Sequence, residues 1–229
     1  MTAVIRGISS MATRQLLNEL AGAYRERAGV DVAVESVGGV DAAKRVAAGE
    51  AFDFVVLASD AIDKLVAGGS AVPGTRTDIV LSSVAIAVRE GAPKPDVASE
   101  EALRTAVLAA PTVGYSTGPS GTALMQLFER WGVAAQLRDR LVQARPGVPV
   151  GSMVASGEVA LGFQQLSELV NLPGIAVIGG MPDTARIDTI FSGAVCSAST
   201  QADAARALLA FMASADTADA KRRNGMDAA

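Results

Sequence analysis

The chain has 229 residues, of which 50% are hydrophobic and only 4% aromatic, and its formal net charge is −4. This length can bury a sizeable core in one large domain or two small ones. The negative charge and the scarcity of aromatic residues argue against nucleic acid as a partner. The absence of histidine excludes a Ser-His-Asp triad and a histidine-ligated zinc ion. The single cysteine, Cys196, lies in an apolar run and is predicted to be buried.

Strands and helices alternate along the first third of the chain. Apolar residues at helical spacing indicate the helices, and short apolar runs indicate the strands. The predicted strands are residues 3–8, 31–37 and 52–58, and the predicted helices are residues 11–27, 40–48 and 59–67. This alternation predicts an α/β fold with a parallel sheet and helices on both of its faces.

Two long apolar strands, residues 79–88 and 187–198, interrupt this alternation, which resumes between them. We interpret these strands as crossings between two lobes. The first lobe is predicted to comprise residues 1–80 and 190–229, and the second residues 81–189. A ligand cleft is expected between the lobes.

A segment rich in glycine and hydroxyl residues joins a predicted strand ending at Tyr115 to an amphipathic helix. Helix-start N–H groups and neighbouring hydroxyls can surround an anion, and glycines allow a ligand close to the backbone. The candidate residues are Ser116, Thr117, Gly118, Ser120, Gly121 and Thr122. No lysine occupies the P-loop position, so a nucleoside triphosphate is not predicted. The alternative is an ordinary strand–loop–helix turn with Ser120 as the N-cap.

An internal similarity relates residues 46–60 to residues 154–168. In both segments a helix ends at glycine, and the strand that follows ends in a hydroxyl residue and then a carboxylate, Asp60 or Glu168. Ligands of α/β sheets bind at the carboxyl ends of the strands, where both carboxylates are expected. The similarity favours two related lobes.

These features in this order resemble the type 2 periplasmic-binding-protein fold, and within it the molybdate-binding-protein-like family. The resemblance rests on Ser9-Ser10, Gly38-Gly39, the strand end at residues 58–60, the apolar crossing strand and residues 114–121. It covers nearly the whole chain. It implies mixed sheets flanked by helices, and an oxyanion clamped between two lobes by hydroxyls and helix N-termini.

The resemblance also assigns ligand-binding positions. Two serines match the family's first loop, and a Gly-Gly pair replaces its Gly-Ala-Ser-Gly-type loop. Two glutamines stand where the family has a ligand tyrosine, which favours a larger ligand such as a carboxylate. The residues predicted in this way to bind the ligand are Ser9, Ser10, Gly38, Gly39, Ser59, Val148, Val150, Gln164 and Gln165.

Arg14 follows the two serines by about one helical turn, so its guanidinium could bind a carboxylate with two hydrogen bonds. The alternative is an exposed arginine on a helix surface. No metal or cofactor is expected.

Three functions remain open on this scaffold. The first is a solute-binding protein for a small oxyanion or a di- or tricarboxylate, with an ABC-type permease as partner. The second is an isomerase, because the superfamily contains an aconitate isomerase, which shifts a proton across an allylic unit. Glu168 or Asp60 would then be the base, whereas the alternative is that each only stabilises a helix start. The third is a cytoplasmic ligand sensor without a transport partner.

The N-terminus shows no signal peptide, and no apolar stretch is long enough to span a bilayer. The expected location is therefore cytoplasmic if the N-terminus is native, and periplasmic if a signal peptide has been removed. In both cases the protein is not expected to be inserted in a membrane.

Overall fold

A computed structural model describes residues 4–145 and 147–229. The chain forms two compact units: unit 1 comprises Met1–Ser82 and Thr189–Ala229, and unit 2 comprises Ser83–Asp188. Within the described ranges, no helix is both long and apolar enough to cross a membrane.

Unit 1 begins with alternating strands and helices, as predicted. Its first elements are β1 (Ile5–Ser10), α1 (Arg14–Ala28), β2 (Val32–Val37), α2 (Gly39–Ala47), β3 (Phe54–Ala58) and α3 (Ser59–Ala67). Strand β4 (Thr77–Arg89) follows, and its first half belongs to unit 1 and its second half to unit 2. Strand β1 pairs in parallel with β2 on one side and with β3 on the other. Apolar residues of α1, including Leu16, Leu17 and Leu20, are buried in the core that covers this sheet.

The serine pair ends strand β1, and the glycine pair stands at the start of helix α2. Strand β1 extends to Ser10, two residues beyond its predicted end, because Ser9 and Ser10 continue the parallel ladder with β2. A short 3-10 turn, Met11–Thr13, then leads into α1. Gly39 is the first residue of α2, and Gly38 is its N-cap. The predicted start of β1 at Ala3 lies outside the described residues.

Unit 2 repeats the alternation. Its elements are α4 (Glu100–Ala109), β5 (Val113–Tyr115), α5 (Pro119–Arg130), α6 (Ala134–Leu137), β6 (Leu141–Gln143), α7 (Val150–Ser156), β7 (Leu161–Gln165), α8 (Leu166–Leu169) and β8 (Ile175–Gly180). Strand β5 pairs in parallel with both β6 and β7. The core of the unit contains Leu124, Leu127 and Phe128 of α5, and Trp131 packs against it, as predicted from their helical spacing.

The chain then returns to unit 1. The last elements are β9 (Asp188–Val195), α9 (Ala202–Ala213), α10 (Ala218–Arg223) and β10 (Asp227–Ala228). In unit 1, β3 pairs antiparallel with β9. In unit 2, β7 pairs antiparallel with the second half of β4. Each of the two similar sequence segments therefore forms a helix, a strand with one antiparallel neighbour, and the start of the next helix.

Cys196 is 2% exposed, which confirms the predicted burial. Its burial, assisted by the negative charge of Asp53, raises the pKa of the thiol to about 12. The fraction of thiolate at neutral pH should therefore be about 1000-fold lower than in an unfolded chain. We expect an aromatic disulfide reagent to modify the native protein at least about 100-fold more slowly than the denatured protein. Equal rates in the two states would contradict this environment for Cys196.

Candidate functional site

In each unit, helices begin at the edge of the sheet where the parallel strands end. The carboxyl ends of β1, β2 and β3 lie at a common edge of unit 1, where α1, α2 and α3 begin. In unit 2, β5, β6 and β7 end at one edge, and the long helix α5 begins there. Because first-turn N–H groups have no partner within the helix, both edges present hydrogen-bond donors to an anion.

Ser10 is the most informative residue at the edge of unit 1. It is 7% exposed, and its Oγ has no hydrogen-bond partner among the residues that the structure describes. The hydroxyl of Ser9, by contrast, lies 2.8 Å from Ser36 Oγ in the neighbouring strand. A Cβ atom placed on Gly39 would lie 3.6 Å from the Cβ of Ser10, so the start of α2 is close to this hydroxyl. A buried hydroxyl without a partner therefore stands where α1 and α2 begin.

Arg14 is the first residue of α1 and is exposed. A cation at this position is opposed by the helix dipole, whose N-terminal end is positive. No ion pair is recorded for Arg14 in the described part of the chain. An anion bound at this helix start would stabilise both the guanidinium and the dipole.

The third helix start of unit 1 carries the predicted residues Ser59 and Asp60. Ser59 is the first residue of α3 and is partly buried. Asp60 is exposed and pairs with Lys64 one turn later at 3.4 Å. This geometry is typical of a carboxylate that stabilises a helix start.

The hydroxyl segment of unit 2 folds differently from the expected alternative. Helix α5 begins at Pro119 with Gly118 as its N-cap, so Ser120 is not the cap but a buried residue of the first turn. The reason is that proline is well suited to the first helical position, which moves the start earlier. The Oγ atoms of Ser120 and Ser116 are 3.0 Å apart, whereas Thr117 and Thr122 are exposed.

Gly121 is required by this arrangement. A Cβ atom on Gly121 would overlap the carbonyl oxygen of Ser116 and would lie 3.2 Å from the ring of Tyr115. The backbone of the segment therefore lies directly against the first turn of α5.

Glu168 is held by a chain of two hydrogen bonds at the edge of unit 2. Its Oε1 accepts a hydrogen bond of 2.8 Å from Gln164 Nε2. The Oε1 of Gln164 in turn accepts one of 2.9 Å from the backbone N–H of Gly151, at the start of α7. Gln164 is only 3% exposed, so both ends of its amide are used inside the protein.

Burial raises the pKa of Glu168 to about 7, although the hydrogen bond from Gln164 acts in the opposite direction. A carboxyl group with this pKa is present in both its ionised and its protonated form at neutral pH. It can therefore accept a proton and return it, which is the requirement for a general acid–base catalyst.

The two predicted glutamines point to opposite faces of β7, because successive strand residues alternate. Gln164 lies on the face of Gly162, whose missing side chain leaves room for Val150 and Val154 of α7. Gln165 lies on the face of Phe163, whose ring packs edge-on against Phe128 of α5. A ligand on one face of β7 would therefore meet one glutamine only.

The remaining predicted residues, Val148 and Val150, lie at the start of α7. Val150 is the buried first residue of α7, and Val148 is partly buried just before it.

Ser167 of α8 is a further candidate that was not among the predicted residues. It is 5% exposed, and its Oγ has no partner in the ranges described. Its position matches Ser59 in the internal similarity, which is the signal that could have identified it.

Comparison with known proteins places this geometry in a family. The sequence profile described as "Bacterial extracellular solute-binding protein" matches residues 5–227. The chain belongs to this family. It is also 40% identical over 227 residues to an aconitate isomerase from Pseudomonas sp., covering 96% of this chain and 86% of the relative.

Solved structures share the fold at much lower identity. The periplasmic molybdate-binding protein of Azotobacter vinelandii has a TM-score of 0.80 at 19% identity, over 97% of this chain and 98% of its own. A tungstate ABC transporter structure from Geobacter sulfurreducens has a TM-score of 0.75 at 18% identity, over 95% of this chain and 97% of its own. The predicted fold class, an α/β fold of the periplasmic-binding-protein type, is therefore confirmed.

Proposed function

We propose that this protein binds a small di- or tricarboxylate and catalyses an allylic proton shift on it, as an isomerase of the aconitate type. The observation that carries this proposal is Glu168, a partly buried carboxyl group with a pKa of about 7. The 40% identity to an aconitate isomerase supports the same substrate class. Such an enzyme requires a carboxylate-binding site with an acid–base group beside the reacting carbon.

The reaction needs one proton and no change in oxidation state. Ionised Glu168 takes a proton from the methylene carbon of cis-aconitate, and the electron pair of that C–H bond spreads over the allylic unit and its carboxylates. The protonated Glu168 then returns a proton to the opposite end of the allylic unit. The double bond shifts by one position, the trans isomer forms, and Glu168 regains its starting form.

The substrate carboxylates need groups that favour their negative charge. In unit 2, the start of α5 and the buried hydroxyls of Ser120 and Ser167 supply hydrogen-bond donors. Unit 1 offers Ser10 and Arg14 at the start of α1. The guanidinium suits a planar carboxylate, which can accept two parallel hydrogen bonds.

A panel of anions tests the binding part of this proposal. Thermal unfolding is measured with increasing cis-aconitate, citrate, sulfate or molybdate, since a ligand of the folded state raises the melting temperature increasingly as its concentration exceeds Kd. The proposal predicts the largest shifts with the tricarboxylates. A shift with molybdate or sulfate alone would contradict a carboxylate site.

Ser10→Ala is expected to weaken tricarboxylate binding by about 10- to 100-fold, because a buried hydrogen bond to a charged group is lost. Calorimetric titration with tricarballylate measures this, since that analogue has no double bond to shift. Ser36→Ala is the matched control: it removes the partner of Ser9 and should lower stability but not affinity. Wild-type affinity in Ser10→Ala would remove Ser10 from the site.

The second candidate is a solute receptor that delivers a carboxylate or oxyanion to an ABC-type permease. It is favoured by the family description and by the molybdate- and tungstate-related structures with the same fold. An extracellular or periplasmic location belongs to this candidate. Binding of a tricarboxylate without any conversion of cis-aconitate would favour the receptor over the isomerase.

A further inference from the structure

The orientation of the Gln164 side-chain amide is determined by the backbone of Gly151 and not by Glu168. The N–H of Gly151 can only donate a hydrogen bond, so it must face the oxygen of the Gln164 amide, at 2.9 Å. The amide nitrogen then necessarily points to Glu168, whose Oε1 it reaches at 2.8 Å. A backbone donor therefore determines which end of the glutamine meets the carboxylate.

The packing of α7 depends on the absence of a side chain at Gly151. A Cβ atom there would lie 2.5 Å from Leu172 Cδ2 and 3.0 Å from Leu169 Cδ2. A larger residue would fit only if these leucine side chains or the start of α7 shifted. Glycine lets the start of α7 and the segment that carries Glu168 pack at this distance without such a shift.

The hydrogen bond from Gln164 distinguishes the two oxygens of Glu168, because it is donated to Oε1. A donated hydrogen bond at Oε1 favours the ionised form of that oxygen and disfavours a proton on it. A proton that binds to this carboxyl group is therefore directed to Oε2.

We propose that Gln164 is a positioning residue that reserves Glu168 Oε2 for taking and returning the substrate proton. The inference rests on the proposed isomerase for its chemical meaning, but the geometry of the Gly151–Gln164–Glu168 chain is independent of activity. Gln164 does not touch the reacting atoms in this role. The sequence suggested that Gln164 binds the ligand. In the role proposed here it instead bonds to Gly151 and Glu168 within the protein.

Among the polar groups around Glu168, Gln164 has the greatest effect on the pKa of its carboxyl group. Helix α8 packs against β7 and β8 and, through Leu169, against Gly151 of α7, and none of these three elements contains a titratable residue. The residues of β4 that join Leu169 in an apolar cluster are Ala85 and Ala87. The charged residue of this part of β4, Arg89, pairs in register with Ile175 at the beginning of β8. Apart from burial, Gln164 is the group that shifts the pKa of Glu168.

The test is a pH titration of Glu168 by carbon NMR of its labelled carboxyl group, in the wild type and in Gln164→Met. Methionine has nearly the same length but no N–H donor, so the pKa of Glu168 should rise by about one or more. Gln143→Met, an exposed substitution on β6 of the same unit, is the control and should leave that pKa unchanged. An unchanged pKa in Gln164→Met would overturn the inference.

A second measurement on the wild type avoids any effect of the substitution on folding. If Gln164 donates to Glu168, the proton shifts of its side-chain amide should change with pH along the same titration curve as the Glu168 carboxyl carbon. If the proton shifts of the Gln164 side-chain amide do not change over the pH range in which Glu168 titrates, the inference is overturned, even if Gln164→Met does not fold.

Kinetics then separate this inference from the proposed function. With cis-aconitate, Gln164→Met should move the acidic limb of the kcat profile to higher pH, with KM changed less than about 3-fold. A shifted Glu168 pKa in a protein that does not isomerise cis-aconitate would leave the positioning role intact and refute the enzyme. If Gln164→Met is active and the acidic limb of its kcat profile stays at the wild-type pH, only the positioning role is refuted.

Discussion

Glu168→Gln is expected to lower kcat for the conversion of cis-aconitate by about 1000-fold or more, while tricarballylate still binds with near wild-type affinity. A positioned general base contributes about 100- to 10,000-fold to such proton transfers, and glutamine has similar shape but cannot accept the proton. The amide can still meet Gln164 or reorient, so the local packing is retained. Steady-state kinetics and calorimetry measure the two quantities.

The matched control is Glu158→Gln, which replaces another glutamate of unit 2. Glu158 pairs with Arg145 at 2.9 Å, and both side chains are largely accessible to solvent. An exposed ion pair of this kind contributes little to stability, so both activity and folding should be almost unchanged. A similar loss of activity in the two variants, or full activity in Glu168→Gln, would contradict the role of Glu168 as the base.

The same variant should show a distinct dependence of stability on pH. The pKa of Glu168 is about 7 in the folded state, against 4.5 for an accessible glutamate. Between these pH values the folded state binds more protons than the unfolded state, so wild-type stability falls as pH rises through this window. Above pH 7 the free energy of unfolding of Glu168→Gln should exceed that of the wild type by about 3 kcal/mol. Below pH 4.5 the two proteins should be equally stable. Urea unfolding at several pH values measures this difference.

Gly121→Ala is expected to destabilise the protein by about 3 kcal/mol and to abolish anion binding by unit 2, since overpacking against a backbone atom cannot be relieved by a rotamer change. The new Cβ atom would overlap the Ser116 carbonyl oxygen, so either the segment or the first turn of α5 must move. The contact between the hydroxyls of Ser116 and Ser120 would be lost with that movement. Chemical denaturation and titration with tricarballylate measure the two effects.

Gly118→Ala is the stability control for this variant. Gly118 has a φ of −86°, and a Cβ atom there has nothing within 4 Å. We expect its free energy of unfolding to fall by no more than about 1 kcal/mol, the typical cost of alanine at an N-cap. Equal stability of the Gly118 and Gly121 variants would show that the segment does not lie against α5 as described.

The sequence was sufficient to predict the alternation of strands and helices and the edge at which the candidate residues lie. Hydrophobic periodicity indicates the elements, and parallel strands bring their carboxyl ends together. It also predicted the buried Cys196 and the core position of Phe128, since both depend mainly on neighbouring residues in the chain. Element ends were less accurate, as the extension of β1 to Ser10 illustrates.

Which polar groups remain available to a ligand could not be predicted, because this depends on contacts between distant residues. Ser9 and Ser10 are equivalent in the sequence, but the register between β1 and β2 gives the Ser9 hydroxyl a partner in Ser36, whereas Ser10 Oγ has none among the described residues. Gln164 was likewise predicted to bind the ligand, but the sequence could not show that Gly151 and Glu168 contact the two ends of its amide. The raised pKa of Glu168 has the same origin, because burial is a property of the packed unit.

If this chain moves a proton on an unsaturated carboxylate, proton NMR of cis-aconitate with the protein in deuterated buffer will show it most directly. We expect conversion to the trans isomer, with deuterium appearing in the methylene group because Glu168 exchanges its proton with solvent. An unchanged spectrum, under conditions where cis-aconitate raises the melting temperature, would contradict it and would make the protein a carboxylate receptor.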